Sequence, residues 1–334
     1  MALKENDIRP DELMKGQAER FENDIARMMS RQDEFVNARC PACGADEAKP
    51  RFTKYGLRYV ECSRCQTMYI TPRPSPEVLD YYYENSENYE YWNNFIFPAS
   101  ENVRMERIFR PRAQRLAQTI ERFGVSRSML LEVGSGFGTF AEAVRDLNLF
   151  ERIVAVEPTP DLAQTCREKG FEVVESPFEH IDQSHYNASV VAAFEVIEHL
   201  FSPRQFFEMC RNVLQPGGLV VVSCPNGQGF DVEMMQDKAG AVDAEHLNYF
   251  NPKSLALLVE SCGFEVLDVS TPGELDVDLV RKKALSGEIR VDHDPFLDRV
   301  LLKEHERLGA PFQKFLAQNC LSGHLVLVGR RPAG

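Results

Sequence analysis

From Ser128 onward, short apolar runs alternate with stretches whose apolar positions recur every three or four residues. Met129 to Val133, Ile153 to Val156, Phe171 to Val174 and Ala188 to Phe194 are nearly continuous apolar runs, as strands covered on both faces require. Between them the spacing predicts helices running to Leu147 and to Lys169, then a third over Pro203 to Leu214. Pro216-Gly217-Gly218 introduces the run Leu219 to Ser223. Pro252 to Cys262 reads as another helix, stopped by Gly263 ahead of a strand over Phe264 to Val269. Alternation of this kind implies a parallel sheet with helices on both faces, the doubly wound α/β class.

On either side the pattern changes. Residues 1 to 35 are charge-rich, with Phe21, Ile25 and Met28 at helical spacing, which predicts a short amphipathic helix and no chemistry. Thr71-Pro-Arg-Pro-Ser-Pro76 breaks regular structure and closes a small module over 36–75. Residues 76–125 open with Tyr81, Tyr82, Tyr83, Tyr89, Tyr91, Trp92, Phe95 and Phe97, then continue into an Arg-rich helical stretch from Asn102 to Phe123. This connector reads either as ordinary core or as a lid that shields a cationic ligand from water. The α/β core is expected over 126–272 and again at 321–331, where Gly323-His-Leu-Val-Leu-Val-Gly329 offers a last strand. The charged stretch 273–320, which has no clear period, is read as an insertion before it.

Composition narrows the function classes. With 43% hydrophobic residues in 334, the chain can bury one large core plus small appendages. It opens Met-Ala-Leu-Lys-Glu-Asn-Asp with no apolar leader, and no run approaches the roughly 18 apolar residues of a membrane span, so a cytoplasmic protein is expected. A net charge of −13 disfavours a nucleic-acid partner, because phosphate neutralisation by Lys and Arg drives such binding.

Four of the nine cysteines stand in two close pairs, and Cys166, Cys210, Cys224, Cys262 and Cys320 are scattered singly, which suits a reducing compartment and one metal site. Cys40-Pro-Ala-Cys43, eighteen residues and Cys62-Ser-Arg-Cys65 have the spacing of a four-cysteine zinc ribbon. Four thiolates close the coordination sphere, so the predicted ion is structural. A redox pair is expected beside the strand–helix unit of a thioredoxin-like domain, and none is evident.

Leu130-Leu-Glu-Val-Gly134-Ser-Gly136-Phe-Gly138 sets a buried strand directly before three glycines that lead into a helix. Backbone can there approach a nucleotide-like ligand closely. Thr139 occupies the position where a dinucleotide fingerprint needs glycine. Glu132 at the loop repels a pyrophosphate but attracts a cationic ligand. Glu157, in Val154-Ala-Val-Glu-Pro158 at the end of the next strand, stands where a carboxylate can accept both ribose hydroxyls.

With Ala192-Ala-Phe-Glu-Val-Ile-Glu-His-Leu200 and Leu214-Gln-Pro-Gly-Gly-Leu-Val-Val-Val-Ser223 in order behind these segments, the chain resembles the class I S-adenosylmethionine-dependent methyltransferases over about 126–272 and the last strand. The resemblance implies a Rossmann-like methyltransferase sheet with S-adenosylmethionine as cofactor. Glu132, Gly134, Ser135, Gly136 and Gly138 would lie at its methionine part and Glu157 and Pro158 at the ribose. Ser176-Pro177-Phe178 would meet the adenine, and Phe194 and His199 would border the transfer site.

Methyl transfer from a sulfonium is a direct displacement, which needs alignment and, for a hydroxyl acceptor, a base. Glu198-His199 and Glu245-His246 are the two histidines beside carboxylates in motif-like positions. Glu245-His-Leu-Asn-Tyr-Phe250, together with the four-cysteine module, is similar to the sugar C-methyltransferases of deoxysugar biosynthesis, which implies His246 as general base with Glu245 beside it. The chain departs from them in having Asp243 where they hold tyrosine, and in lacking their large C-terminal domain, which leaves O-methylation open beside C-methylation. The expected acceptor is a small polar molecule such as a nucleotide-linked sugar or glycan precursor. The competing readings are an RNA methyltransferase that grips RNA with its ribbon, and a cofactor-binding scaffold without turnover.

Overall fold

The protein is described by a computed structural model over residues 4–333. Eleven strands form two sheets: β1 (Ala48–Lys54), β2 (Leu57–Cys62), β3 (Met68–Ile70), β4 (Met129–Val133), β5 (Arg152–Val156), β6 (Glu172–Val174), β7 (Ala188–Phe194), β8 (Leu214–Pro225), β9 (Asn248–Tyr249), β10 (Glu265–Ser270) and β11 (His324–Arg330). The large sheet has the order β10-β11-β8-β7-β4-β5-β6. Strands β6, β5, β4, β7 and β8 run parallel, and β11 inserts antiparallel between β8 and β10. The doubly wound sheet expected from the apolar alternation is therefore present, and its strand order reverses at β4.

Successive residues of the central strands point into opposite layers, as the two-residue period of a strand dictates. Leu131, Val133, Val191 and Ala193 enter one core with Phe206, Phe207 and Leu258. Leu130, Val190 and Ala192 enter the other, under Ala113, Leu116 and Ile120 of the helix Arg110–Phe123 and Phe140 and Val144 of the helix Thr139–Asp146. This two-sided burial is why these runs read as continuously apolar.

Outside the large sheet the structure adds order that periodicity did not reveal. The N-terminal helix spans Asp11–Met29, 19 residues, longer than the short helix expected. The stretch 273–320, which has no clear sequence period, contains the helices Asp276–Leu285 and His305–Gln318. Val277, Val280 and Leu316 of these helices share one core with Ile25, Met28, Leu57, Tyr59 and Met68. The apolar anchors of 273–320 are spread over several short helices and turns, with charged residues between them, so no single window carries a clear period. No helix among the described residues is long and apolar enough to cross a membrane.

The small sheet has the order β1-β2-β3-β9. Its fourth strand comes from the segment after the large sheet's β8, with Tyr69 opposite Asn248 and Met68 opposite Tyr249. Asn248 is fully buried, and its amide nitrogen reaches the carbonyls of Leu200 (2.8 Å), Glu198 (3.2 Å) and Ile197 (3.3 Å). The backbone N–H groups of Leu247 and Asn248 also donate to the Glu198 carbonyl. The buried guanidinium of Arg73 spans the Asn248 side-chain oxygen and the Phe201 carbonyl, both at 3.3 Å. The small sheet and the loop that follows β7 are thus stitched through one asparagine.

Replacing Asn248 by Ala removes the amide's contacts to the Leu200, Glu198 and Ile197 carbonyls and one acceptor of Arg73, while the Glu198 carbonyl keeps the Leu247 and Asn248 N–H groups. The expected cost is about 1–3 kcal/mol of unfolding free energy, read as a lower urea midpoint. An unchanged midpoint would show that the stitch contributes nothing.

Candidate active site

At the end of β4 the chain enters a loop in which Gly134, Gly136 and Gly138 all take positive φ. A β-carbon on Gly134 would stand 2.6 Å from Val196 Cγ2, so the glycine loop and the loop after β7 touch where only hydrogen fits. Gly138 opens the helix Thr139–Asp146, and Ser135 donates its hydroxyl to the Glu132 carbonyl at 3.1 Å. Glu157 accepts from the Gly136 N–H at 2.8 Å and the Thr159 N–H at 3.0 Å, which fixes it at the lip of the loop. Burial pushes its pKa up. Pro158 and Pro177 are exposed on the same rim.

Glu132 is 4% exposed and its Oε2 has no hydrogen-bond partner. Burial drives its pKa to about 8, against the opposing pull of Arg112. A buried carboxylate with an orphaned oxygen, facing a cradle of glycine backbone, fits the ammonium of a cationic cofactor. Arg112, which sequence reading passed over, stacks on Phe194 at 4.4 Å, and Phe194 also packs on Phe140 at 4.7 Å. Phe178, expected at the adenine, is instead buried against Phe206 at 5.5 Å. Its 3-10 turn points it into the core, where it packs with Phe206.

The loop after β7 carries Glu198 and His199, and the Asn248 stitch draws it against the segment that holds His246. The two imidazoles meet edge to face with centroids 4.6 Å apart. His246 Nδ1 lies 2.9 Å from the Ala241 carbonyl and 3.4 Å from Asp243. A carbonyl can only accept, so Nδ1 carries the proton and Nε2 keeps a free lone pair. His199 is half-buried, with its pKa held well below the usual range by burial and then by His246, and Nδ1 is 3.4 Å from the Tyr83 hydroxyl.

Glu245 is not the partner of His246 that the motif suggested. It accepts from Tyr82 at 2.6 Å and Asn88 at 3.1 Å, and burial raises its pKa to about 7. It therefore ties down the aromatic connector over the site. Asp24 of the N-terminal helix holds the same connector, accepting from the Ser86 hydroxyl and the Glu87 and Asn88 N–H groups. Asp243 orients the histidine from behind, because its Oδ1 accepts from the N–H groups of Glu245 and His246 at 3.0 and 2.9 Å. The only sequence sign of that role was its replacement of a tyrosine.

In the small module Cys40, Cys43, Cys62 and Cys65 bring their sulfurs together, with Cys40–Cys65 at 3.4 Å and Cys43–Cys62 at 3.5 Å. Four converging thiols at this spacing fit a tetrahedral zinc ion. The module's sheet also cradles the histidine loop: Tyr59 donates to the Asp243 carbonyl at 2.6 Å, Lys54 to Val242 at 2.5 Å, and Asn251 to Cys65 at 2.9 Å.

The large sheet reverses its strand order at β4, and the acidic glycine loop sits at that strand's carboxyl end, the place where such folds bind nucleotide-like ligands. The profile of the Methyltransferase domain family matches residues 105–269. The chain carries a class I S-adenosylmethionine-dependent methyltransferase domain. It is 26% identical over 226 residues to the C-methyltransferase NovU of Streptomyces niveus, covering 66% of this chain and 49% of that one. A probable S-adenosylmethionine-dependent methyltransferase of Mycolicibacterium smegmatis is 30% identical over 149 residues, 42% of this chain and 52% of that protein. The chain spans about half the length of these two relatives. A solved methyltransferase of Clostridium acetobutylicum superposes with a TM-score of 0.47 at 8% identity, covering 72% of this chain and 99% of that one.

Two outcomes follow from this geometry. Cys40→Ser is expected to lose bound zinc by elemental analysis while cofactor affinity by calorimetry stays within about twofold, because the ribbon borders the histidine loop and not the glycine loop; full zinc occupancy in that variant would break the four-cysteine assignment. Glu132, with a pKa of about 8, is mostly protonated near pH 7 and must ionise to hold an ammonium. Cofactor binding below pH 8 is therefore expected to release a proton and to tighten as pH rises toward 8. Calorimetry in phosphate and in Tris would then give different enthalpies, and equal enthalpies would remove Glu132 from that role.

Proposed function

We propose that this protein transfers a methyl group from S-adenosylmethionine to a small polar acceptor, a nucleotide-linked sugar or glycan precursor, at an oxygen or a carbon. One observation carries the reading: the loop after β7 packs Val196 on Gly134 and carries His199 against His246, so a proton-accepting group borders the cofactor cradle. The cofactor supplies an electrophilic methyl on a sulfonium. The residues of this chain bind it, exclude water and take a proton from the acceptor.

Glu132 is assigned to the ammonium, Glu157 to the ribose hydroxyls, and the backbone of Gly134 to Gly138 to the close approach that lets both carboxylates reach. Arg112, a cation acted on by Glu195, Glu132 and Glu198, is assigned to the cofactor's carboxylate. His246, with Nδ1 tied to Ala241, presents Nε2 to the acceptor as base, and His199 and Tyr83 line the same pocket. Tyr82 and Asn88 hold the aromatic connector closed through Glu245, which keeps the displacement dry. The similarity to a C-methyltransferase supports the acceptor class. The ribbon's Arg51 and Arg39 are paired with Glu61, Glu233 and Asp46, and Arg58 donates to Thr71, an arrangement that favours a small molecule over RNA.

The test is transfer of label from S-adenosylmethionine to a panel of nucleotide sugars, glycan precursors and total RNA. Label in a sugar, with the methylated atom located by fragmentation, is the expected result; label in RNA alone would overturn the acceptor class, and binding without transfer to any of them would favour a scaffold. His246→Ala is expected to lower turnover of the labelled acceptor by about 100-fold or more with cofactor affinity unchanged. Undiminished turnover would move the base elsewhere.

A further inference from the structure

Glu198 is fully buried, and neither of its carboxylate oxygens has a hydrogen-bond partner. A carboxylate in that condition is expensive to hold unless a proton or a cation accompanies it. Glu195 and Asp243 add negative charge around it, opposed by Arg112, which disfavours a bare carboxylate and suits either a proton or a bound cation. What points to a cation is the pair of imidazoles beside it, which supply further ligands that a proton would not use. One ligand atom each from Glu198, His199 and His246 lie within 4.8 Å of one another.

We propose that Glu198, His199 and His246 form a second metal site, separate from the four cysteines, which takes a first-row divalent cation at the acceptor pocket. This rests on reading that pocket as the acceptor's. Two imidazoles and one carboxylate suit zinc, iron, cobalt or manganese better than magnesium or calcium, which prefer oxygen ligands throughout. Bonds of about 2.1 Å in tetrahedral geometry set ligand atoms about 3.4 Å apart, so the side chains need to close by up to about 1.4 Å. The second shell is already built: the Ala241 carbonyl holds His246 Nδ1–H and leaves Nε2 for the ion, as metal-binding histidines generally require.

Three protein ligands leave positions open, unlike the closed cysteine site. An acceptor hydroxyl would take one of these positions. The ion would lower the pKa of that hydroxyl, so that its proton is lost to bulk solvent as the acceptor enters, before water is excluded, and the oxygen would keep the electron pair that attacks the methyl. In the loaded protein His246 is a ligand and the ion acidifies the acceptor; in the metal-free protein His246 takes the proton itself. An acceptor with a hydroxyl or an enolisable carbonyl oxygen beside the methylated position is the chemical class that such a site selects.

The experiment is a cobalt(II) titration of the full-length protein with its cysteine site left zinc-filled, followed by visible absorption. A second equivalent is expected to bind with the weak bands of nitrogen- and oxygen-ligated cobalt, without the intense thiolate charge-transfer bands. Glu198→Gln and His246→Ala are each expected to weaken that binding by about 10- to 100-fold or more. Cofactor affinity of both variants, measured by calorimetry, reports that they fold. No binding beyond the cysteine site, or the same spectrum and affinity in both folded variants, would overturn the proposal. Neither cofactor nor acceptor is present in the titration, so its failure leaves the methyl-transfer reading standing. A normal cobalt site with no turnover on any acceptor would count against that reading alone.

Discussion

The pairing of β3 with β9 is the contact on which the geometry of the site depends. It makes Asn248 and Tyr249 a strand of the cysteine module's sheet, although they lie far along the chain from its other strands. The side chain of Asn248 then reaches back into the loop after β7 and accepts Arg73 in turn. Buried backbone carbonyls need partners, and the Asn248 amide reaches three of them. With the backbone bonds from Leu247 and Asn248 to the Glu198 carbonyl, it holds together the loops of His199 and His246, which lie at the ends of different sheets. The cysteine module is best understood as a support for the histidine loop, with Tyr59, Lys54 and Asn251 anchoring it at successive points.

Charge sets the second constraint. Glu132, Glu157, Glu198 and Glu245 are all buried, and burial raises the pKa of each. They divide by what satisfies them. Glu157 and Glu245 are hydrogen-bonded by backbone and by the connector, so they hold structure as well as shape the cleft. Glu132 and Glu198 keep orphaned oxygens. Unsatisfied buried carboxylates favour a proton or a cation beside them, and both of these act on Arg112. A cleft of this sign suits a sulfonium cofactor and repels polyanions, in keeping with the net charge of −13.

The N-terminal helix and the 273–320 stretch illustrate how one core can be assembled from poor local signals. Ile25 and Met28 from one, Val277, Val280 and Leu316 from the other, and Leu57 and Met68 of the small sheet bury one another. Each element is short or only partly apolar and would be marginal alone. Asp24 uses the resulting rigidity to cap the connector at Ser86, Glu87 and Asn88, so a helix without chemistry of its own helps to keep the aromatic residues over the cleft.

The sequence by itself determined the doubly wound sheet, because strands buried on both faces must read as continuous apolar runs and the helices between them as periodic ones. It also determined the glycine loop with its two carboxylates and the four-cysteine spacing, since these are local patterns in which neighbours in the chain are neighbours in space. Only the tertiary structure decided that Phe178 packs inward, that Glu245 serves the connector while Ala241 and Asp243 orient His246, and that Arg112 stacks on Phe194 beside Glu132. Those facts depend on which distant loops are stitched together. A two-residue strand such as β9 has too few positions to show any period, so its partner cannot be read until the chain is folded.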